Sequence, residues 1–271
     1  MDDIDRFIKE DLGEKGDITS DSLFTDEYAE AKILAKEDCI VAGLKEAEIV
    51  FEKIGAETEL MVKDGDFVKK FTAVALIKGS ANSILKGERL ALNIISRMSG
   101  IATETKKLVE ICKSINPKVT VAATRKTTPG FRKFEKRAVE IGGGEPHRFG
   151  LYDAVMIKDN HIKLIGSVEK AIKKVKEKVK DKIIEVEVEN EEDAVTAAKL
   201  GVDIIMLDNF DSKSAEKVTK KIRDITNDTI IEISGGITFN NITDYASFAD
   251  RISLGYLTHS IKSKDFSLEI I

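Results

Sequence analysis

Apolar positions change their period about a third of the way along the chain. From Val119 onward, short β-branched runs recur at residues 119–123, 154–157, 183–188, 202–207, 229–233 and 251–254. Apolar residues at helical spacing fill the intervals 131–141, 168–179, 191–200, 215–225 and 240–248. Short apolar strands alternating with amphipathic helices predict parallel βα units. A repeat of this period predicts a barrel or a doubly wound sheet. Only six or seven strands can be counted, so a barrel made from them is incomplete.

The first hundred residues read differently. Ile4, Phe7 and Ile8 stand at helical spacing, and strand-like pieces follow at 29–35, 39–41, 59–62 and 73–77. Turns such as Asp64-Gly65-Asp66 join them. The pattern predicts a small α+β domain over residues 1–100. Two helices then follow, 83–98 and 101–115, leading into the α/β part at 101–257.

Where the polar residues fall points to chemistry. Each strand runs apolar and ends in a polar or glycine cluster: Thr124-Arg125-Lys126, Lys158-Asp159-Asn160-His161, Glu187 with Glu189, Asp208-Asn209, Ser234-Gly235-Gly236, and Gly255. In a βα barrel the reacting groups occupy the C-terminal ends of the strands. Asp208-Asn209 alone reads equally well as a turn. Six successive strand ends of this character do not.

Composition narrows the classes. The 271 residues are 42% apolar and 34% charged with net charge −5, which fits a globular chain of one large or two ordinary domains. The acidic balance argues against a nucleic-acid partner. Residues 1–5 lack the basic, apolar character of a signal peptide, and no apolar run approaches the ~20 residues that span a bilayer. Cys39 and Cys112 lie far apart, as expected for reduced, buried residues of a cytoplasmic protein.

Within this acidic chain, residues 123–150 concentrate Arg125, Lys126, Arg132, Lys133, Lys136, Arg137, His147 and Arg148 around Gly142-Gly143-Gly144. Lys133, Lys136 and Arg137 read as the solvated face of a helix, and the glycines as a helix end that lets backbone approach a ligand. Arg125, Lys126, Arg148 and Lys158 fall at one predicted rim, which calls for a small polyanion. Ser234, Gly235, Gly236 and Gly255 offer what a phosphate needs, at the strand ends where barrels commonly hold one. Glu187 and Asp208 are hard oxygen donors suited to sugar hydroxyls or Mg²⁺. His147, His161 and His259 have no zinc-ligand spacing.

The segments GERLALNIISRMSGIAT, TRKTTPGFRKFEKRAVEIGGG, HRFGLYDAVMIKDNHI, IEVEVE, IIMLDN, ISGGI and SLGYLTHS, with EDLGEKGDITS near the start, closely resemble the quinolinate phosphoribosyltransferases. The resemblance runs over nearly the whole chain. It implies an incomplete seven-stranded α/β barrel with an N-terminal α+β sandwich domain, to which the tail at about 258–271 returns. It implies transfer of phosphoribose from 5-phosphoribosyl-1-pyrophosphate to quinolinate with loss of CO₂. By matching motif, Arg125, His147, Arg148 and Lys158 would bind the carboxylates of quinolinate, and Thr124 belongs to the expected substrate-binding set. Lys126, Lys158 and His259 would face pyrophosphate. Glu187 and Asp208 would hold ribose and Mg²⁺, directly or through water, and Ser234, Gly235, Gly236 and Gly255 the 5′-phosphate. Lys126, Lys158, Glu187 and Asp208 are the expected catalytic set. Arg89 would cross a homodimer interface into the partner's site, although its stripe with Asn93 and Ser96 also reads as a solvated face. Two positions depart from the family pattern: Ala123 where it usually has Asp, and Pro146 where it usually has Asn. Another anionic acceptor, either nicotinate or that of a paralogue associated with molybdate transport, therefore stays open. So does a Schiff-base lyase using Lys158, or a ligand sensor without turnover.

Overall fold

The computed structural model describes residues 3–25 and 27–271, so part of the acidic start lies outside the described residues. The chain divides into two compact units, the first comprising residues 1–106, 128–143 and 260–271 and the second 107–127 and 144–259.

In the first unit, helix α1 (Asp3–Leu12) forms where Ile4, Phe7 and Ile8 share a face, and Ile4 is buried. After α2 (Ser20–Leu23) come β1 (Tyr28–Ala35), β2 (Cys39–Ile40), α3 (Leu44–Ile54), β3 (Glu57–Leu60), β4 (Phe67–Val68) and β5 (Ala73–Ser80). The chain's last strand, which becomes β12 (Phe266–Ile270), pairs antiparallel with β1, from Ala31 opposite Ile270 to Ala35 opposite Phe266. The resulting sheet has the order β12-β1-β5-β3.

The two helices expected at 83–98 and 101–115 are one, α4 (Ala81–Ile115), 35 residues long. Gly100, between the two expected segments, lies inside it. A Cβ there would stand 2.5 Å from the Lys262 carbonyl oxygen and 3.1 Å from Ser263 Cα. The glycine admits the returning tail rather than ending the helix.

Helix α5 (Arg132–Ile141) also belongs to this unit; Lys133 is exposed as expected, but the structure corrects the solvated-face expectation for Lys136. Phe134, Glu135 and Lys136 are consecutive and all buried, so the helix is covered nearly all round. Lys136 is fully enclosed, while Arg137 pairs with Glu46 at 2.9 Å. Gly142 serves packing rather than a ligand: a Cβ there would lie 2.6 Å from Ala102 O and 2.7 Å from Thr105 Cβ on α4.

The second unit carries the alternating pattern. Its elements are β6 (Thr120–Ala122), β7 (Val155–Ile157), α6 (Asp159–Ile165), α7 (Val168–Lys178), β8 (Ile184–Val188), α8 (Glu191–Lys199), β9 (Ile204–Asp208), α9 (Ser212–Arg223), β10 (Ile230–Ser234), α10 (Thr243–Ala246), β11 (Arg251–Ser253) and α11 (Tyr256–His259). N-caps mark where helices start. Ser167 accepts from Lys170 N, Asn190 from Asp193 N, and Asp211 from Lys213 N and Ser214 N. The helix expected at 240–248 shrinks to α10.

The six strands form one parallel sheet in the order β6-β11-β10-β9-β8-β7. β6 and β7 end that order and are not paired with each other. Glu145 adds a one-residue parallel bridge to Ala122 on the far side of β6. Seven positions therefore surround an open α/β barrel, one of them held by a single residue. Because side chains alternate along a strand, each strand splits its sequence between two surfaces. Ile184, Val186, Val188, Ile205, Leu207, Ile231, Ile233 and Ile252 join the apolar core with Ala171, Ile172, Ala194, Ala215 and Val218 of the helices. Glu185, Glu187, Met206, Asp208, Glu232, Ser234, Arg251 and Ser253 occupy the alternate positions and face the barrel interior.

Candidate active site

A cavity of about 510 Å³ opens at the C-terminal ends of these strands. Thr124, Arg125, Lys126, His147, Arg148, Lys158, Glu187, Asp208, Ser234, Gly235, Gly236, Gly255 and His259 all line it. Arg89 does not; it is exposed on α4, in the other unit. The convergence follows from the pleat. Glu187, Asp208 and Ser234 are the last interior-facing residues of β8, β9 and β10, and Ser234 lies directly beside Asp208 in the register.

At the glycine-rich end, Gly235 and Gly236 take φ of 88° and 62°, conformations that side-chained residues rarely adopt. Gly235 packs on Asn209, itself left-handed at φ 57°. Asn209 N–H donates to Ser234 O at 2.9 Å, and its Nδ2 donates to Asp208 Oδ2 at 2.6 Å. Asn209 was visible in the sequence only as part of a strand-end pair; the structure makes it the support of both Asp208 and the Ser-Gly-Gly turn. On the next strand end, a Cβ at Gly255 would lie 2.8 Å from Lys126 Cδ and 3.2 Å from His259 Nε2. Thr258 Oγ1 donates to Lys126 O at 2.7 Å, tying the Lys126 backbone to α11.

Opposite charges meet in the middle. Lys158 Nζ donates to Glu187 Oε2 at 2.6 Å. Burial, reinforced by the Glu187 charge, raises the Asp208 pKa, while Lys158 and Lys126 oppose the rise. Two carboxylates, hard oxygen donors on neighbouring strands, fit a divalent cation such as Mg²⁺. Arg148 is held below its ordinary pKa by burial, with Arg125 adding like-charge repulsion and Glu185 opposing it. Its Nη2 lies 2.9 Å from Met156 Sδ and its Nη1 3.4 Å from Ala154 O. Arg125 Nε is buried without a hydrogen-bond partner among the described residues. Cations gathered this closely are poised for a multiply charged anion.

Beneath them is a buried layer that sequence reasoning missed. His147 Nε2 lies 3.3 Å from Glu232 Oε2 and 3.5 Å from Glu185 Oε2. Burial pushes the His147 pKa down, but Glu232 and Glu185 outweigh it and hold the pKa above the ordinary value. Burial and the neighbouring Glu232 raise Glu185 to about 8. Arg251 Nη1 reaches Glu232 at 3.1 Å, and its Nη2 reaches Glu145 at 2.7 Å. His147, Glu185 and Glu232 are close enough to suggest a metal site. However, His147 Nδ1 accepts from Arg148 N–H at 2.8 Å, so the ring proton is on Nε2 and no lone pair faces the carboxylates. The signal for this layer was present in the sequence: charged residues at every second place in otherwise apolar strands, as in Ile184-Glu185-Val186-Glu187 and Ile231-Glu232-Ile233.

Comparison with known proteins bears on what such a cavity serves. Family models described as quinolinate phosphoribosyl transferase, N-terminal domain and C-terminal domain, match residues 17–99 and 101–269. The chain belongs to the quinolinate phosphoribosyl transferase family. A relative from Archaeoglobus fulgidus, named "Probable nicotinate-nucleotide pyrophosphorylase (carboxylating)", is 46% identical over 259 residues, covering 94% of this chain and 98% of its own. The nicotinate-nucleotide pyrophosphorylase (carboxylating) of Rattus norvegicus is 36% identical, over 89% of this chain and 82% of its own. A solved nicotinate-nucleotide pyrophosphorylase structure from Ehrlichia chaffeensis is 36% identical with a TM-score of 0.93, covering 99% of this chain and 97% of that one. Membership of the quinolinate phosphoribosyl transferase family thus extends over both units and the barrel alike.

Proposed function

We propose that this protein is an enzyme that transfers phosphoribose from 5-phosphoribosyl-1-pyrophosphate to quinolinate. The products are nicotinate mononucleotide, pyrophosphate and CO₂, a step of NAD biosynthesis. The observation that carries the reading is the shared cavity: cations suited to a diacid and a glycine turn suited to a phosphate line one space of about 510 Å³. Both substrates are polyanions, which accounts for the cationic stretch in an acidic chain.

Arg125, Arg148 and His147 hold the pyridine diacid so that its ring nitrogen faces the ribose carbon. Ser234, Gly235 and Gly236 fix the 5′-phosphate, and Lys126, Lys158 and His259 face the departing pyrophosphate. As the carbon–oxygen bond to pyrophosphate breaks, positive charge builds on the ribose, and Glu187 and Asp208 steady it. Glu187 and Asp208 would hold Mg²⁺, directly or through water, and the bound ion would supply charge neutralisation for the pyrophosphate. In the second stage the pyridinium nitrogen accepts electron density while the adjacent carboxylate leaves as CO₂, and the ring carbon then takes a proton. The Lys158–Glu187 ion pair counts against a Schiff-base lyase, because an ammonium so engaged has no lone pair with which to attack.

The working form is a homodimer in which Arg89 reaches the partner's cavity, a reading supported by its exposure on α4 beside exposed Asn93. The setting is the cytoplasm. Cys39 and Cys112 are free and buried, and burial raises each pKa to about 11, as suits thiols that stay reduced. Among the described residues no helix is long and apolar enough to cross a membrane. The test offers purified protein the ribosyl donor and Mg²⁺ with quinolinate or with nicotinate. Mononucleotide formed with stoichiometric CO₂ from quinolinate alone is expected; equal use of nicotinate without CO₂ would overturn the acceptor assignment.

A further inference from the structure

The seventh place around the barrel is held by one residue. Glu145 N–H donates to Val121 O at 2.8 Å, and Ala123 N–H donates to Glu145 O at 2.9 Å. The next residue, Pro146, has no N–H with which to continue the ladder. His147 then takes φ of 56°, a backbone state that a residue with a Cβ keeps only when its surroundings hold it. Regular pairing therefore stops just short of His147 and Arg148, which with Arg125 line the acceptor end of the cavity.

Side chains continue where the ladder stops. Arg251 of β11 reaches Glu145 through Nε (3.1 Å to Oε2) and Nη2 (2.7 Å to Oε1). Its third nitrogen, Nη1, donates to Glu232 Oε2 of β10 at 3.1 Å. The same Glu232 oxygen accepts from His147 Nε2 at 3.3 Å. The residues on either side of Pro146 are thus tied to one arginine–glutamate pair. The Arg251 side chain is 12% exposed and that of Glu232 is 0% exposed, so water and salt screen that pair little. Arg251 itself does not line the cavity.

We infer that Arg251, acting through Glu232 and Glu145, is a positioning residue that holds the His147–Arg148 turn at the acceptor end of the site. A planar guanidinium is required, because a lysine offers one point charge and cannot bridge two carboxylates in this geometry. The inference rests on the acceptor assignment made above for its kinetic consequence, and on geometry alone for its structural one.

Arg251→Lys keeps the buried positive charge and removes the bridge. The expected result is a KM for quinolinate raised about tenfold or more, with the KM for the ribosyl donor within about twofold. Amide hydrogen exchange at Glu145, His147, Arg148 and Phe149 is expected to quicken by about tenfold or more while β8 and β9 stay protected. Glu145→Gln, at a side chain 35% exposed, keeps the Arg251–Glu232 contact and serves if the first variant folds poorly; the same selective pattern, weaker, is expected. Unchanged exchange at these amides in both variants overturns the inference whatever the reaction. So does an equal rise in both KM values with exchange quickened throughout, which marks a merely structural role. Failure of the wild-type protein to use quinolinate would instead sink the functional reading and leave the exchange result to stand by itself.

Discussion

Replacing Gly235 with alanine, and separately Gly236 with alanine, puts the same methyl at neighbouring positions of one turn with unequal consequences. Both glycines have left-handed φ, 88° and 62°, and that state costs an L-residue about 1–2 kcal/mol. At Gly236 the cost ends there, since nothing lies within 4 Å of the added Cβ. At Gly235 the methyl would meet Asn209 Oδ1 and stand 2.6 Å from the Asn209 backbone nitrogen. Backbone cannot swing aside as a flexible side chain can, so overpacking adds about 1–3 kcal/mol. Gly235→Ala is therefore expected to cost about 2–5 kcal/mol in all. Asn209 carries the bond to Asp208 Oδ2, so the shift also disturbs a carboxylate of the site. The assay pairs thermal melting with donor kinetics. Gly235→Ala is expected to lose several degrees more than Gly236→Ala and to raise the donor KM about tenfold. Equal melting losses, or a donor KM in Gly235→Ala that matches wild type, would refute the steric reasoning.

Three further outcomes follow from the site. Arg125→Ala and Arg148→Ala are each expected to lower kcat/KM for quinolinate by about 2–4 kcal/mol of transition-state stabilisation while the melting temperature holds; steady-state kinetics with CO₂ detection checks this. Chelation of divalent ions is expected to abolish turnover and added Mg²⁺ to restore it, with Asp208→Asn requiring more Mg²⁺ for half-activity. Glu185, raised by burial and Glu232 from 4.5 to about 8, binds its proton more tightly folded than unfolded. Stability from this group is thus greatest at low pH and is lost as pH rises from about 5 to about 8. His147, also raised, contributes in the same direction. Melting curves across that range are expected to show Glu185→Gln losing much less stability than wild type; parallel curves would contradict the assignment.

The cavity was largely legible from strand ends because a barrel brings those ends together whatever the intervening helices contain. Asp208, weak alone, gained meaning from Ser234 beside it and Glu187 on the adjacent strand. Lys136 was misread because its helix looked amphipathic, whereas neighbouring parts of its unit cover nearly every face. The glycine triplet looked like a ligand approach, yet Gly142 is spent on contact with Ala102 and Thr105. Such errors share a cause: a one-dimensional pattern shows that a residue is small or charged, not what stands across from it.

By itself, the order of apolar runs and polar strand ends determined the parallel βα units and the cationic rim suited to a polyanion, since period-two and helical patterns dictate which side chains can share a face; the choice of a barrel over a doubly wound sheet came from the family resemblance. Only the tertiary structure decided that Glu145, His147, Glu232 and Arg251 meet in one hydrogen-bonded relay. These residues are up to 106 positions apart in sequence. Closing the barrel brings them within hydrogen-bonding distance, where low dielectric makes each contact count.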